Sequence, residues 1–179
     1  MTERVPTSER QPTAEGAIAG LRPARDADGA GVIALLGAVF AEYPGCVLDV
    51  DGEMPELRAI ATWFARAGGR FYVVERAGGD GRAPIVACVG HTPSGPDGLE
   101  LRKLYVARSA RRGGLGGGLC ELVESIGRAA GARFVELWSD TRFLDAHRLY
   151  ERRGYRRGLR TRELHDLSAS VEYHFRKEL

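Results

Sequence analysis

The sequence predicts an α/β (α+β) fold: a mixed, mostly antiparallel central sheet with helices on both faces. Three observations carry that expectation. Residues 71–75 (FYVVE), 85–90 (IVACVG) and 99–106 (LELRKLYV) are consecutive strand-like runs with short turns between them, the pattern of an antiparallel meander. Residues 99–106, the helical stripe that follows and residues 134–138 (FVELW) form a strand–helix–strand unit, whose two strands run parallel. Apolar stripes at helical spacing lie before and after the meander and supply helices for the sheet faces.

Taken in order, residues 1–17 are polar and rich in Pro, Thr and Glu, and read as a disordered tail ahead of a single domain over 18–179. Residues 18–22 alternate and form a first strand. Pro23 and the pair Asp26/Asp28 mark a helix entry, with Asp26 as N-cap. Val32, Leu35, Leu36, Val39 and Phe40 stripe that helix, which ends near Tyr43-Pro44-Gly45. Residues 46–54 are either a short extended piece or a loop turning at Asp51-Gly52. Pro55 suits a first helical position, and Leu57, Ile60, Ala61 and Phe64 give the next helix its apolar face. After the meander, whose first hairpin turn is placed at 78–81, Leu115, Leu119, Leu122, Val123 and Ile126 stripe a third helix that Gly131 ends. Residues 143–153 form a fourth, with Gly154 at its C-cap. Residues 155–157 start a strand, paired antiparallel with a last one at 171–176 (VEYHFR).

Composition narrows the function classes. A chain of 179 residues, 44% of them hydrophobic, can bury one sizeable core. The net charge of +2 is too small to argue for nucleic acid, and the Arg-rich segment 148–163 is diluted by Glu151 and Glu163 without aromatic interleaving. No apolar run is long enough to span a bilayer, and the N-terminus lacks a signal peptide's apolar centre. Cys46, Cys88 and Cys120 are odd in number and lack metal-ligand spacing, which reads as reduced thiols in the cytoplasm with no metal site.

The most informative stretch is 104–119 (LYVARSARRGGLGGGL), a strand end leading into a glycine-rich turn that opens a helix. Such a turn presents backbone N–H groups to an anion. A P-loop would need Lys-Ser/Thr after its last glycine, and Leu119-Cys120 follow Gly118 instead. A dinucleotide fingerprint would need glycines at 114, 116 and 119, and position 119 is Leu. Arg-x-x-Gly-x-Gly is met by Arg111, Gly114 and Gly116.

Residues 111–116 (RRGGLG) resemble the acetyl-coenzyme A pyrophosphate loop of the GCN5-related N-acetyltransferase (GNAT) superfamily, and Leu104-Tyr105-Val106 is similar to the family's strand end, whose backbone pairs with the pantetheine arm. The resemblance covers about residues 18–179, is strongest over 99–155, and implies acetyl-CoA contacts at Leu104, Tyr105, Val106, Arg111, Arg112, Gly113, Gly114, Leu115, Gly116 and Gly117. Residues 146–155 (AHRLYERRGY) look like the second family signature. There Tyr150 matches the tyrosine beside the coenzyme sulfur, implying a general acid that protonates the leaving thiolate; the alternative is a core tyrosine on an amphipathic helix. Phe143 departs from the family's usual Asn, whose amide contacts the cofactor; Thr141 or Ser139 is a possible substitute.

A protonated amine acceptor calls for a base. Glu100 is the first candidate, with Glu136 and His91 in reserve; the alternative for Glu100 is a solvated strand carboxylate paired with Arg102 or Lys103. Strand alternation puts Glu100 on the opposite face from Tyr105. His147, at i, i+3 from Tyr150, is a cofactor-edge contact or a plain surface histidine. Asp49, Asp51 and Glu53 form an acidic rim or a solvated loop. The expected activity is transfer of an acetyl group from acetyl-CoA to a primary amine of a small molecule or amino acid, with no nucleic-acid or membrane partner and room for a homodimer. A protein or peptide N-acetyltransferase and a non-catalytic acyl-CoA-binding module are the alternatives.

Overall fold

The computed structural model describes residues 18–77 and 83–179. Among these residues the chain forms strands β1 (Leu21–Pro23), β2 (Arg70–Glu75), β3 (Ile85–Ser94), β4 (Gly98–Val106), β5 (Phe134–Asp140), β6 (Arg156–Glu163) and β7 (Val171–Glu178). Helices α1 (Gly29–Phe40) and α2 (Ile60–Arg66) precede β2, while α3 (Leu115–Ala129) and α4 (Leu144–Arg152) flank β5. The strands make one sheet in the order β1-β2-β3-β4-β5-β7-β6. Every neighbouring pair is antiparallel except β4 and β5, which the α3 crossover makes parallel.

Two apolar clusters sit on opposite faces of the sheet. Leu99, Leu101, Val135 and Leu137 pack with Leu115, Leu119, Leu122 and Val123 of α3 and Tyr150 of α4. Val73 and Cys88 pack with Val32, Leu35 and Leu36 of α1 and Ile60 and Phe64 of α2. The helical stripes therefore cover both faces, as the periodicity implies.

Local chemistry accounts for the differences from the sequence reading. The first strand starts later than residue 18 because Gly20, at φ 78°, turns the chain into it. Asp26 opens a short 3-10 turn rather than capping α1; its carboxylate accepts from the Thr62 backbone N–H (2.9 Å) and hydroxyl (2.6 Å), holding α2 in place. Residues 46–54 are a loop, with Asp49 Oδ1 accepting from Gly52 N–H at 2.9 Å. The turn placed at 78–81 lies outside the described residues.

The largest correction concerns β4. Cys88 pairs with Tyr105 and Gly90 with Arg102, so one extra residue is inserted on β4. Lys103 takes the strain, at φ 52°. The bulge resets the alternation: Leu104 and Val106 join Leu99 and Leu101 on the α3 face, and Tyr105 faces the α1 cluster. Glu100 therefore shares a face with Tyr105, not the opposite one.

β4 and β5 then part. They pair only at Gly98–Phe134, Leu99–Val135 and Glu100–Glu136, while β4 continues to Val106 and β5 to Asp140 along β7. Beyond Glu100, β4 has lost its β5 partner, leaving a split in the middle of the sheet with backbone hydrogen-bonding capacity along one side.

Candidate acetyl-CoA cleft

A cleft of about 1000 Å³ occupies that split. Leu101, Lys103, Leu104, Tyr105 and Val106 of β4 form one wall and Trp138, Ser139 and Asp140 of β5 the other. Arg111, Arg112, Gly114, Leu115, Gly116 and Gly117 close one end, and Phe143, just ahead of α4, joins Leu149 and Tyr150 of α4.

The loop end is shaped by backbone geometry. Arg112 and Gly114 have φ of 65° and 80°, and Gly118 N–H is the first amide of α3 to reach back, to Gly114 O at 2.9 Å. The amides before it have no intrahelical acceptor and suit an anion. A Cβ added at Gly113 or Gly114 would meet nothing within 4 Å, so the space above the loop is open; at Gly116 it would lie 3.0 Å from Leu149, where α3 and α4 close together. Arg108, Arg112 and Arg152 are exposed and have no ion-pair partner among the described residues.

Arg111 has a different job. Its Nε donates to Val106 O at 2.9 Å, and its two terminal nitrogens hold both oxygens of Glu42 at 2.8 and 2.7 Å. It ties the loop to the end of β4 and to the chain after α1, and its charge is already paired. Among the described residues, the cation left free beside the glycines is Arg112.

Tyr150 is 4% exposed, its ring packed on Tyr155 and Phe175 with centroids 5.8 and 5.6 Å away. It is thus both a core tyrosine and a cleft residue. Burial pushes its phenol pKa well above the usual 10, so at neutral pH it is a neutral O–H donor. No other described residue hydrogen-bonds its hydroxyl.

Phe143 stands in an aromatic group with Tyr43, Phe40 and Tyr105, at centroid distances of 4.6, 6.2 and 6.5 Å. Of the two possible substitutes for the amide absent here, Ser139 lines the cleft; Thr141 does not.

Comparison with known proteins agrees with this geometry. The acetyltransferase (GNAT) family profile matches residues 37–155. The chain belongs to that family. Comparison with curated protein sequences gives no match. Among solved structures, a GNAT-family acetyltransferase from Staphylococcus aureus Mu50 superposes with TM-score 0.73 at 17% identity, covering 89% of this chain and 98% of that one. A ribosomal-protein-alanine N-acetyltransferase from Brucella melitensis does so with TM-score 0.64 at 19% identity, covering 89% and 99%. A GNAT-family acetyltransferase from Elizabethkingia anophelis with acetyl-CoA bound gives TM-score 0.51 at 14% identity, covering 67% and 82%. At these identities the likeness is one of fold.

The structure brings Leu104, Tyr105, Val106, the loop residues and Tyr150 together around one GNAT cleft, with exposed Gly113 between the lining residues Arg112 and Gly114. Two expected site residues fall elsewhere. His147 is 7% exposed and turned from the cleft onto Tyr173 and Phe175. Its Nε2 lies 2.9 Å from Asp140 O; a carbonyl only accepts, so Nε2 carries the proton. His147 is therefore a latch between α4 and β5, not a cofactor-edge contact or a surface histidine. Three residues along a helix leave side chains about 60° apart, so the two rings share Phe175 while Tyr150 reaches the cleft and His147 turns onto Tyr173.

Glu100 lies in the paired part of β4, outside the cleft lining, with Arg102 Nη1 3.8 Å from its carboxylate. The reserves are no nearer. Glu136 accepts from Ser94 and meets His174 Nε2 at 2.9 Å, and His91 is buried with Nδ1 unpartnered. Asp49, Asp51 and Glu53 do not line the large cleft; Asp51 pairs with Arg58, and Glu53 accepts from Leu167 N–H at 2.5 Å. Trp138, Asp140, Arg152 and Glu172 line the cleft without having been singled out in the sequence. Pairing β7 with β5 as well as β6 would have placed Glu172 opposite Asp140.

Proposed function

We propose that this chain transfers an acetyl group directly from acetyl-CoA to a primary amine of a small molecule or amino acid. The observation that carries the reading is the split between β4 and β5, with the glycine loop at one end and the Tyr150 hydroxyl on its wall. The loop amides and helix dipole suit a pyrophosphate. Arg112, with Arg108 and Arg152, adds charge for the remaining phosphate. The β5-facing side of β4 from Leu104 to Val106, which has no strand partner there, suits the amide groups of a pantetheine arm. Acetyl-CoA supplies the activated acyl group when bound.

Tyr150 then donates its proton to the sulfur as the C–S bond breaks. A phenol held neutral by burial makes that proton available throughout the neutral range. No helix among the described residues is long and apolar enough to cross a membrane, and the buried thiols of Cys88 and Cys120 are held protonated, each pushed up to about 12 by burial. We place the reaction in the cytoplasm, without a nucleic-acid or membrane partner and with a homodimer as a possible assembly. The test is free-thiol release from acetyl-CoA across a panel of primary amines, amino acids and short peptides. A small amine that raises release above hydrolysis supports the reading; a response confined to peptides moves the acceptor to a protein N-terminus or lysine. No response to any amine, with acetyl-CoA bound, leaves an acyl-CoA-binding module.

A further inference from the structure

We infer that Glu172, on β7, is the carboxylate that accepts the proton from the incoming amine. This inference rests on the acetyl-transfer reading above.

Among the described residues, four carboxylates line the cleft: Glu42, Asp140, Asp145 and Glu172. Three are unsuited. Both oxygens of Glu42 are held by Arg111. Arg142 holds both oxygens of Asp140, through Nε at 2.8 Å and Nη2 at 2.5 Å. Asp145 is 79% exposed and paired with Arg148 on the outer turn of α4. Glu172 differs from all of them. Its side chain is 16% exposed, and Arg162 Nε fixes only Oε2, at 2.5 Å. Arg162 is itself seated over the Trp138 ring at 4.5 Å. No described residue hydrogen-bonds Oε1. One oxygen is anchored and the other is available.

Its placement is complementary to that of Tyr150. Glu172 is the register partner of Asp140, and cross-strand partners share a face. The next residue, Tyr173, packs on His147 beneath α4. Glu172 therefore faces the α1 side of the sheet, while Tyr150 approaches the split from the α4 side. A thioester carbon in the split would have a proton donor on one side and a proton acceptor on the other.

Glu172 also joins the cleft to a small adjoining recess of about 60 Å³, sharing Tyr105, Asp140 and Phe143 with it. Among the described residues, the titratable and charged groups around Glu172 are Arg162 from β6, Asp140 from β5 with Arg142 in the turn just after it, and Tyr105 from β4. Cys46 and Glu53 come from the loop after α1, and Asp166 from the β6–β7 connection. Among the described residues no lysine or arginine lines the recess, and its other wall is Phe40 and Phe143. That chemistry suits a cationic primary amine on a short apolar or aromatic stem.

The proton balance is as follows. The bound ammonium gives one proton to Glu172, which passes it to solvent. The nitrogen lone pair forms the N–C bond and the C–S bond breaks. Tyr150 protonates the departing sulfur, and the second nitrogen proton returns to the Tyr150 oxygen. The products are the acetamide, the free thiol and one proton released.

Glu172→Gln tests this with the full chain, using the best amine from a panel of ethanolamine, putrescine, lysine, phenethylamine and a short peptide. Acetyl-CoA affinity should be unchanged. At pH 7 the variant should lose about 100-fold in kcat/KM, and the deficit should shrink below about fivefold near pH 10, where a far larger share of the amine is neutral without help. Equal activity at every pH, or a loss that does not vary with pH, overturns the assignment to Glu172 and leaves acetyl transfer standing. Absence of amine-dependent thiol release in the unaltered protein overturns both. If Glu172→Gln does not fold, Glu172→Asp replaces it: a loss of about tenfold with the pH profile kept is expected, and an unchanged rate overturns the assignment.

Discussion

The two ends of the cleft are built by different means. At the loop end the candidate donors are backbone amides, set by φ of 65° at Arg112 and 80° at Gly114, and of the two arginines that precede the glycines Arg111 is committed to Glu42. At the other end the contacts are side chains: Phe40, Phe143 and Glu172, brought from three parts of the chain. A backbone site tolerates side-chain loss and is broken by changes in conformation. A side-chain site is broken by single substitutions and can change specificity without disturbing the fold. Under the proposed acetyl transfer, such a contrast would let one scaffold keep its donor while the acceptor varies.

The strongest challenge to this contrast falls between the two ends, at the phenol. Tyr150→Phe keeps the ring packed on Tyr155 and Phe175 and removes only the proton donor. We expect kcat to fall about 100-fold with acetyl-CoA affinity unchanged, measured by thiol release and by titration calorimetry.

Next in size is Gly114→Val. The space above Gly114 is open, so the cost is conformational: a β-branched residue at φ 80° is strained by about 1–2 kcal/mol. Relaxing that strain turns the amides away, and acetyl-CoA should bind about tenfold more weakly or worse in calorimetry.

Smaller again is Arg111→Ala. It leaves the half-buried Glu42 carboxylate without its partner, and after discounting for solvent the expected loss is about 1 kcal/mol of stability, read as a lower thermal midpoint. Arg112→Ala should leave the midpoint alone and weaken acetyl-CoA binding only about two- to threefold. The two neighbouring arginines should thus separate stability from binding.

The smallest effect is that of His147. Burial lowers its pKa below the usual 6.5, so the native state holds it neutral. Its contribution to stability is present above that value and is lost as pH falls towards the depressed native pKa, because the unfolded chain then binds the proton more readily. Chemical denaturation between pH 7.5 and 5 should show a decline that is shallower in His147→Gln.

How much was legible in the sequence follows the same division. The loop end is contiguous: Leu104 to Gly117 carries strand, turn and helix start in one stretch, and the turn geometry is written in its glycines. Tyr150 was legible because residues 146–155 form a second local pattern. The helices and the meander were legible because their periodicities are local.

The acceptor end depends on register. Glu172 lines the cleft because β7 pairs with β5 along its length, which no local pattern encodes. Glu100 was assigned to the wrong face because one inserted residue at Lys103 reverses the alternation, and an ordinary Arg-Lys pair in a strand gives no sign of a bulge. His147 and Tyr150 sit on the same helix surface, but what each meets depends on where β7 lies beneath it.

The measurement that bears most directly on the account is a crystal structure with acetyl-CoA bound. The expected result has the pyrophosphate over the amides of residues 113–117, the pantetheine arm along Leu104 to Val106, and the sulfur within about 3.5 Å of the Tyr150 oxygen. A pyrophosphate held away from the glycine loop, or a sulfur out of reach of Tyr150, would contradict it.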